Sequence, residues 1–164
     1  MNLSFVEMLP VHVAAVAALE ARSNPTPWSE SLIAAEFDVS PEARHWLVAL
    51  RANEVVGFGG LMFVGDDAHL MNLAVSPEER RQGIARRLVH ELVDACVDRG
   101  VKNLTLEVRA SNAGAIRLYE DCGLHSVGQR PGYYEDGEAA VIMWRYNLDA
   151  ELDTEPPVET EVHR

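Results

Sequence analysis

The stretch Glu79-Arg80-Arg81-Gln82-Gly83-Ile84-Ala85-Arg86-Arg87-Leu88 (ERRQGIARRL, residues 79–88) decides how this chain is read. Before it runs an apolar, strand-like segment, Leu70, Met71, Asn72, Leu73, Ala74 and Val75, closed by Ser76-Pro77. After it the apolar spacing becomes helical. A strand, a polar turn with one glycine and a helix start, in that order, form a cradle for phosphate. The first amides of a helix lack intrahelical partners, so those of Gln82, Gly83, Ile84 and Ala85 can donate to a pyrophosphate, with Arg80, Arg81 and Arg86 adding charge. Gly83 has no Cβ, which permits close approach of the main chain. Taken alone, the same turn also fits a solvated loop ahead of a helix.

The surroundings favour the cradle. Over 84–99, Ile84, Leu88, Leu92 and Cys96 recur at helical period, flanked by Ala85, Val89, Val93 and Val97, a wide stripe that should face a sheet. Gly100 stops the helix. Asn103, Leu104, Thr105, Leu106, Glu107 and Val108 then alternate as a strand, and a further helix follows, capped by Ser111 or Asn112 and ending before Gly123.

Working toward the amino terminus, Leu3 and Phe5 alternate as a first strand, Pro10 opens a helix to about Arg22, and a second helix spans 29–38 with Leu32, Ile33 and Phe37 inward. Strands at 45–51 and 55–64 are joined by Ala52-Asn53-Glu54, and Gly65-Asp66-Asp67 turns into the strand ending at Val75. Segments 124–129 and 139–146 form a closing hairpin. The pattern predicts a mixed α/β domain whose strands first meander and then alternate with helices.

The 164 residues suit one domain with a sizeable core, and 48% hydrophobic content argues against disorder over most of the length. No apolar run approaches a membrane span, and the stretch from Val11 to Leu19 is short, contains His12 and lacks a basic leader, which argues against a secretory signal. Cys96 and Cys122 fit core or pocket-wall thiols in a reducing, cytoplasmic compartment, and neither they nor the histidines have metal-ligand spacing. A net charge of -12 disfavours a nucleic-acid partner and suits a cationic one. Part of that charge lies in 149–164, where Asp149, Glu151, Asp153, Glu155, Glu159 and Glu161 face Arg164 alone, so 1–148 is expected to be the domain and 149–164 a disordered acidic tail.

Arg80, Gly83 and Ala85 fit the arginine/glutamine-x-x-glycine-x-glycine/alanine pattern, so the chain resembles the GCN5-related (GNAT) acetyltransferase superfamily. Four more stretches resemble one branch of it, the bacterial RimI-type N-alpha-acetyltransferases that modify the amino terminus of small-subunit ribosomal protein eighteen. They are Pro27-Trp28-Ser29-Glu30; Asn72-Leu73-Ala74-Val75 with Pro77; LEVRASNAGAIRLYEDCGL at 106–124; and Arg130 with Tyr133-Tyr134, Ala140 and Met143. The resemblance implies a GNAT fold, a mostly antiparallel twisted sheet of six to seven strands flanked by about four helices. It implies that the main chain of Leu73, Ala74 and Val75 holds the pantetheine arm of acetyl-CoA, that the turn from Arg80 to Arg86 holds its pyrophosphate, and that the Asn112 side chain contacts it. It implies Glu107 as general base and Tyr119 as general acid. The partners it implies are acetyl-CoA and the amino terminus of a basic, ribosomal protein, with no metal, nucleic acid or membrane, and a monomer or weak dimer.

The chemistry asks for such residues. An α-ammonium of pKa about 7.7–8.0 is roughly one-tenth free amine at pH 7, and a carboxylate can take its proton. An ordinary glutamate pKa of about 4.3 makes a weak base, so burial is expected to raise that of Glu107, or a water to relay the proton. Tyr119, a phenol of ordinary pKa about 10, carries a proton for the departing thiolate. A main-chain amide near 73–75 suits the oxyanion, and no cysteine is required as an acyl carrier. Spacing alone leaves plainer roles open. Glu107 also fits an outward carboxylate paired with Arg109 or Lys102, Tyr119 a core tyrosine, Asn112 a helix cap, and Trp28 an anchor for the second helix in place of acceptor contact. Tyr133 and Tyr134 suit a loop-borne acceptor wall. Leu124-His125 departs from the continuation usual in the family, which puts the pocket near His125 in question. A GNAT enzyme acting on lysine or a small amine, or a non-catalytic acyl-CoA-binding module, are the alternatives.

Overall fold

The helical stripe after the glycine turn buries as its period requires. Ile84, Leu88, Val89, Leu92, Val93 and Cys96 on α3 (Ile84–Asp98) are each at most 7% exposed. Val97, expected in the stripe, is 37% exposed, because it lies at the stripe's edge beside the fully buried Cys96. At about 1.5–3 kcal/mol for each large side chain buried, this helix is a principal contributor to the core. The computed structural model describes residues 2–150; the expected acidic tail lies, apart from Asp149 and Ala150, outside the described residues.

Seven strands form one sheet in the order β1-β2-β3-β4-β5-β7-β6: β1 (Leu3–Glu7), β2 (Arg44–Arg51), β3 (Glu54–Val64), β4 (Asp67–Val75), β5 (Asn103–Arg109), β6 (His125–Arg130) and β7 (Ala140–Arg145). Only β4 and β5 pair in parallel, as α3 between them requires. The β2-β3 hairpin turns on two residues, Ala52 and Asn53, both at positive φ, and Glu54 already pairs with Arg51.

Strand alternation sends side chains to two cores. Leu47 and Ala49 face α3 and α4 (Ala113–Asp121), whereas Trp46, Val48 and Phe58 face α1 (Val13–Ser23) and α2 (Glu30–Ala35). The second helix is shorter than expected: α2 ends at Ala35 and a 3-10 turn covers Glu36–Asp38. Ile33 is buried, but Leu32 and Phe37 are 56% and 41% exposed, because so short a helix presents only one residue to the sheet.

Two local features shape the strand before the cradle. Gly60 pairs with Asn72 and Leu61 with Leu70, which leaves Met71 as a bulge in β4. Gly60 also lies against the Trp46 ring, and a Cβ built there would fall 2.2 Å from a ring carbon. Trp46 is 7% exposed and flanked by Trp28 and Phe58, so it cannot yield. Gly60→Ala is therefore expected to cost about 2–3 kcal/mol, read as a lower urea midpoint at unchanged slope.

Candidate active site

β4 and β5 pair over only three positions, Asp67 with Asn103, Ala68 with Leu104 and His69 with Thr105. Beyond them the strands part. The β4 edge from Leu70 onward has no strand partner on that side, so its main-chain groups face a gap. An open cavity of about 240 Å³ occupies the gap. Leu73, Ala74, Glu107, Asn112, Tyr119 and Tyr134 all line it. Glu20 and Asn24 line it as well. Val75, residues 80–86, Trp28, Tyr133 and His125 lie outside this lining, so His125 does not shape the pocket as expected.

Glu107 sits on β5, where the strands separate. Its Oε1 is 2.7 Å from His69 Nε2 and accepts a longer bond, 3.4 Å, from the Tyr133 hydroxyl. Neither Arg109 nor Lys102 is its partner. Arg109 is held by Asp136 and Glu138 at 2.9 and 3.0 Å and stacks 4.2 Å from the Tyr134 ring. The expected upward pKa shift of Glu107 is reversed: the His69 hydrogen bond, with the charges of His69 and Arg130, outweighs desolvation and lowers it. Its side chain stays 18% exposed, so desolvation is incomplete. The spacing of the histidines gave no sign of His69, because only the short parallel register brings it beside Glu107.

Tyr119, on α4, is 8% exposed and belongs to the α3 side of the core. Burial pushes its phenol well above the ordinary range, so it holds its proton throughout neutral pH. Asn112 does cap α4, accepting from the Ala115 amide at 3.1 Å, and also lines the cavity. Tyr133 and Tyr134 pack edge to face at 4.9 Å in the loop between β6 and β7, one against Glu107 and the other in the cavity wall. Trp28 is an anchor, packed edge-on against Trp46 at 6.0 Å.

The turn has the geometry of an anion cradle. Arg81 and Gly83 both adopt positive φ, Gly83 caps α3 without any side-chain hydrogen bond, and the first bond within the helix runs from the Arg87 amide to Gly83. A Cβ on Gly83 would meet no protein atom within 4 Å, so the main chain there faces open space. Arg80 Nε reaches the Val75 carbonyl at 3.4 Å, Gln82 accepts from Arg51 at 3.1 Å, and Arg86 pairs with Asp121 at 3.1 Å. Main-chain donors and the exposed Arg80 and Arg81 are thus the groups suited to a pyrophosphate. Burial raises Cys122 and pushes Cys96 up to about 12, so neither supplies a thiolate nucleophile at neutral pH. Among the described residues no helix is long and apolar enough to cross a membrane.

Known proteins are similar to this chain in sequence and fold. The chain is 41% identical over 129 residues to a [ribosomal protein bS18]-alanine N-acetyltransferase of Escherichia coli, covering 76% of this chain and 84% of the relative. It is 38% identical over 127 residues to a putative enzyme of the same name from Bacillus subtilis, covering 77% and 83%. The crystal structure of the Escherichia coli ribosomal-protein-S18-alanine N-acetyltransferase superposes with a TM-score of 0.80 at 31% identity, covering 99% of this chain and 100% of that one. The acetyltransferase (GNAT) family profile matches residues 13–124, a span that runs from α1 through the cradle to the end of α4, and the chain belongs to that family.

Proposed function

We propose that the protein transfers the acetyl group of acetyl-CoA to the amino-terminal α-amine of ribosomal protein bS18, on an alanine. The observation that carries the reading is the gap between β4 and β5, where Glu107, Tyr119 and the free β4 edge face one cavity. Identity of 38–41% to enzymes named for that acceptor supports the choice of substrate. A net charge of -12 suits a cationic protein partner.

In the proposed mechanism the thioester lies along β4, its arm bonded to the main chain at 73–75 and its pyrophosphate on the 80–86 turn. Asn112 contacts it from α4. The free amine attacks the carbonyl carbon, a C–N bond forms, and a β4 amide takes up the oxyanion. Glu107 with lowered pKa is a poor base toward a free ammonium, but nitrogen bonded to the tetrahedral carbon is a far stronger acid. Glu107 accepts that proton. The C–S bond then breaks, and the sulfur receives a proton from Tyr119 as solvent passes one to the phenol oxygen, so that no buried phenolate forms. Tyr133 and Tyr134 form the wall against which the acceptor lies.

The test is transfer of labelled acetyl to a peptide copying the start of the host's bS18, beside the same peptide with a blocked amine and an internal lysine. Label on the free terminus alone is the expected result. Label on the lysine overturns the proposed acceptor chemistry, and label on neither overturns the proposed acceptor.

A further inference from the structure

Glu20 is a buried carboxylate that the reaction above leaves without a task. It lies on α1, fully buried, and lines the same cavity as Glu107. A charge-bearing group so placed is costly to bury unless its oxygens are satisfied. They are. Oε2 accepts from Asn24 Nδ2 and from the Trp28 main-chain N–H, both at 3.0 Å, and Oε1 accepts from Asn72 Nδ2 at 2.9 Å. Two of the three partners, Asn24 and Asn72, line the cavity; Asn24 and Trp28 lie on the connection between α1 and α2, and Asn72 directly follows the β4 bulge and precedes Leu73.

We propose that Glu20 is a positioning residue, a clasp that fastens the α1–α2 connection, residues 24–28, to the β4 strand assigned to the thioester, and that this connection, whose Asn24 and Pro25 line the cavity, is a second wall for the acceptor. The proposal rests on the acetyl-transfer reading above. The 24–28 segment has no regular secondary structure of its own; its other ties include the Asn24 N–H on the Glu20 carbonyl at 3.0 Å and the Trp28 ring on Trp46, and the Thr26 amide on Asn24 is internal to it. Without the carboxylate, the Trp28 N–H and two side-chain amides lose their acceptor together. One group thereby sets the distance between the walls that hold the two reactants, and small errors in that distance slow attack.

The partner geometry supplies its own control. Asn72 can rotate its amide to offer oxygen, whereas the Trp28 N–H can only donate and Asn24 keeps its Oδ1 on the Thr26 amide. Glu20→Gln therefore keeps the clasp, with its oxygen toward Trp28 and its NH2 toward a rotated Asn72. Glu20→Leu removes it. We would measure amide hydrogen exchange at 24–28, acetyl-CoA affinity by calorimetry, and KM and kcat for the peptide. Glu20→Leu is expected to speed exchange at Trp28 and raise peptide KM by about tenfold or more, with acetyl-CoA affinity within about threefold of wild type and Glu20→Gln close to wild type. Unchanged exchange at 24–28 in Glu20→Leu overturns the clasp, as does acetyl-CoA affinity falling in step with peptide binding. Glu20→Gln as impaired as Glu20→Leu also overturns it. Should Glu20→Leu fail to fold, Glu20→Gln with Asn72→Ala, which removes the β4 anchor alone, is read by the same exchange. Exchange and acetyl-CoA affinity need no acceptor, so a wild type that labels no peptide counts against the proposed function and leaves the clasp tested.

Discussion

Glu107→Gln is expected to lower kcat for peptide acetylation by about 10²–10⁴-fold, equivalent to about 2.7–5.4 kcal/mol of transition-state stabilisation. Glutamine keeps the shape and can still accept the His69 bond at Oε1, so acetyl-CoA affinity and melting temperature should stay close to wild type. Proton acceptance alone is lost. Single-turnover rates beside acetyl-CoA titration by calorimetry separate the two effects. A rate within about threefold of wild type would remove Glu107 from proton transfer and assign that step to solvent.

The direction of the Glu107 shift predicts the pH profile of the same reaction. A carboxyl held below its ordinary pKa is ionised throughout the neutral range, so Glu107 adds no break to kcat/KM between about pH 6 and 8. A break there belongs to other groups, the acceptor amine at about 7.7–8.0 foremost. For stability the sign is the usual one for a carboxylate with a lowered folded pKa. Its contribution is present above the unfolded value of about 4.3 and is lost as pH falls through the folded one, and Glu107→Gln removes that part of the acid sensitivity.

Much of this site was legible in the chain because the parts that make it are local. The turn at 80–86 needs only a glycine, a helix start and the preceding strand, all adjacent in sequence, and the run at 106–124 carries Glu107, Asn112 and Tyr119 on one strand-turn-helix unit. What escaped depends on long-range register. His69 reaches Glu107 only because β4 and β5 pair in parallel over three positions and then part, and no periodicity encodes where two strands stop pairing. Glu20 stands in a helical run, Glu20-Ala21-Arg22-Ser23, that carries no local sign of burial, yet Asn72 from β4 and the Trp28 N–H from the α1–α2 connection both bond to it. Leu32 and Phe37 failed in the other direction. Their apolar character suggested burial, but the short α2 offers a single inward position.

Tyr119→Phe tests the other end of the proton path, and is expected to reduce kcat by about a hundredfold. The substitution removes one oxygen from a side chain whose ring packs within the core, so the fold has little to lose; the Cys122 and Leu124 amides bond to the Tyr119 main chain and are untouched. The buried phenol is harder to ionise than the departing thiol, whose ordinary pKa is about 8.5. It therefore holds its proton early in the reaction and gives its strongest hydrogen bond when sulfur carries nearly full charge, which concentrates its effect in the transition state. Acetyl-CoA affinity should change by less than about threefold, since the ground-state thioester sulfur is a weak acceptor. With its pKa raised, Tyr119 also contributes no basic limb to kcat below about pH 10. A Phe variant with wild-type kcat and a lower melting temperature would make Tyr119 a packing residue, and proton delivery to the thiolate would then fall to water in the open gap between β4 and β5.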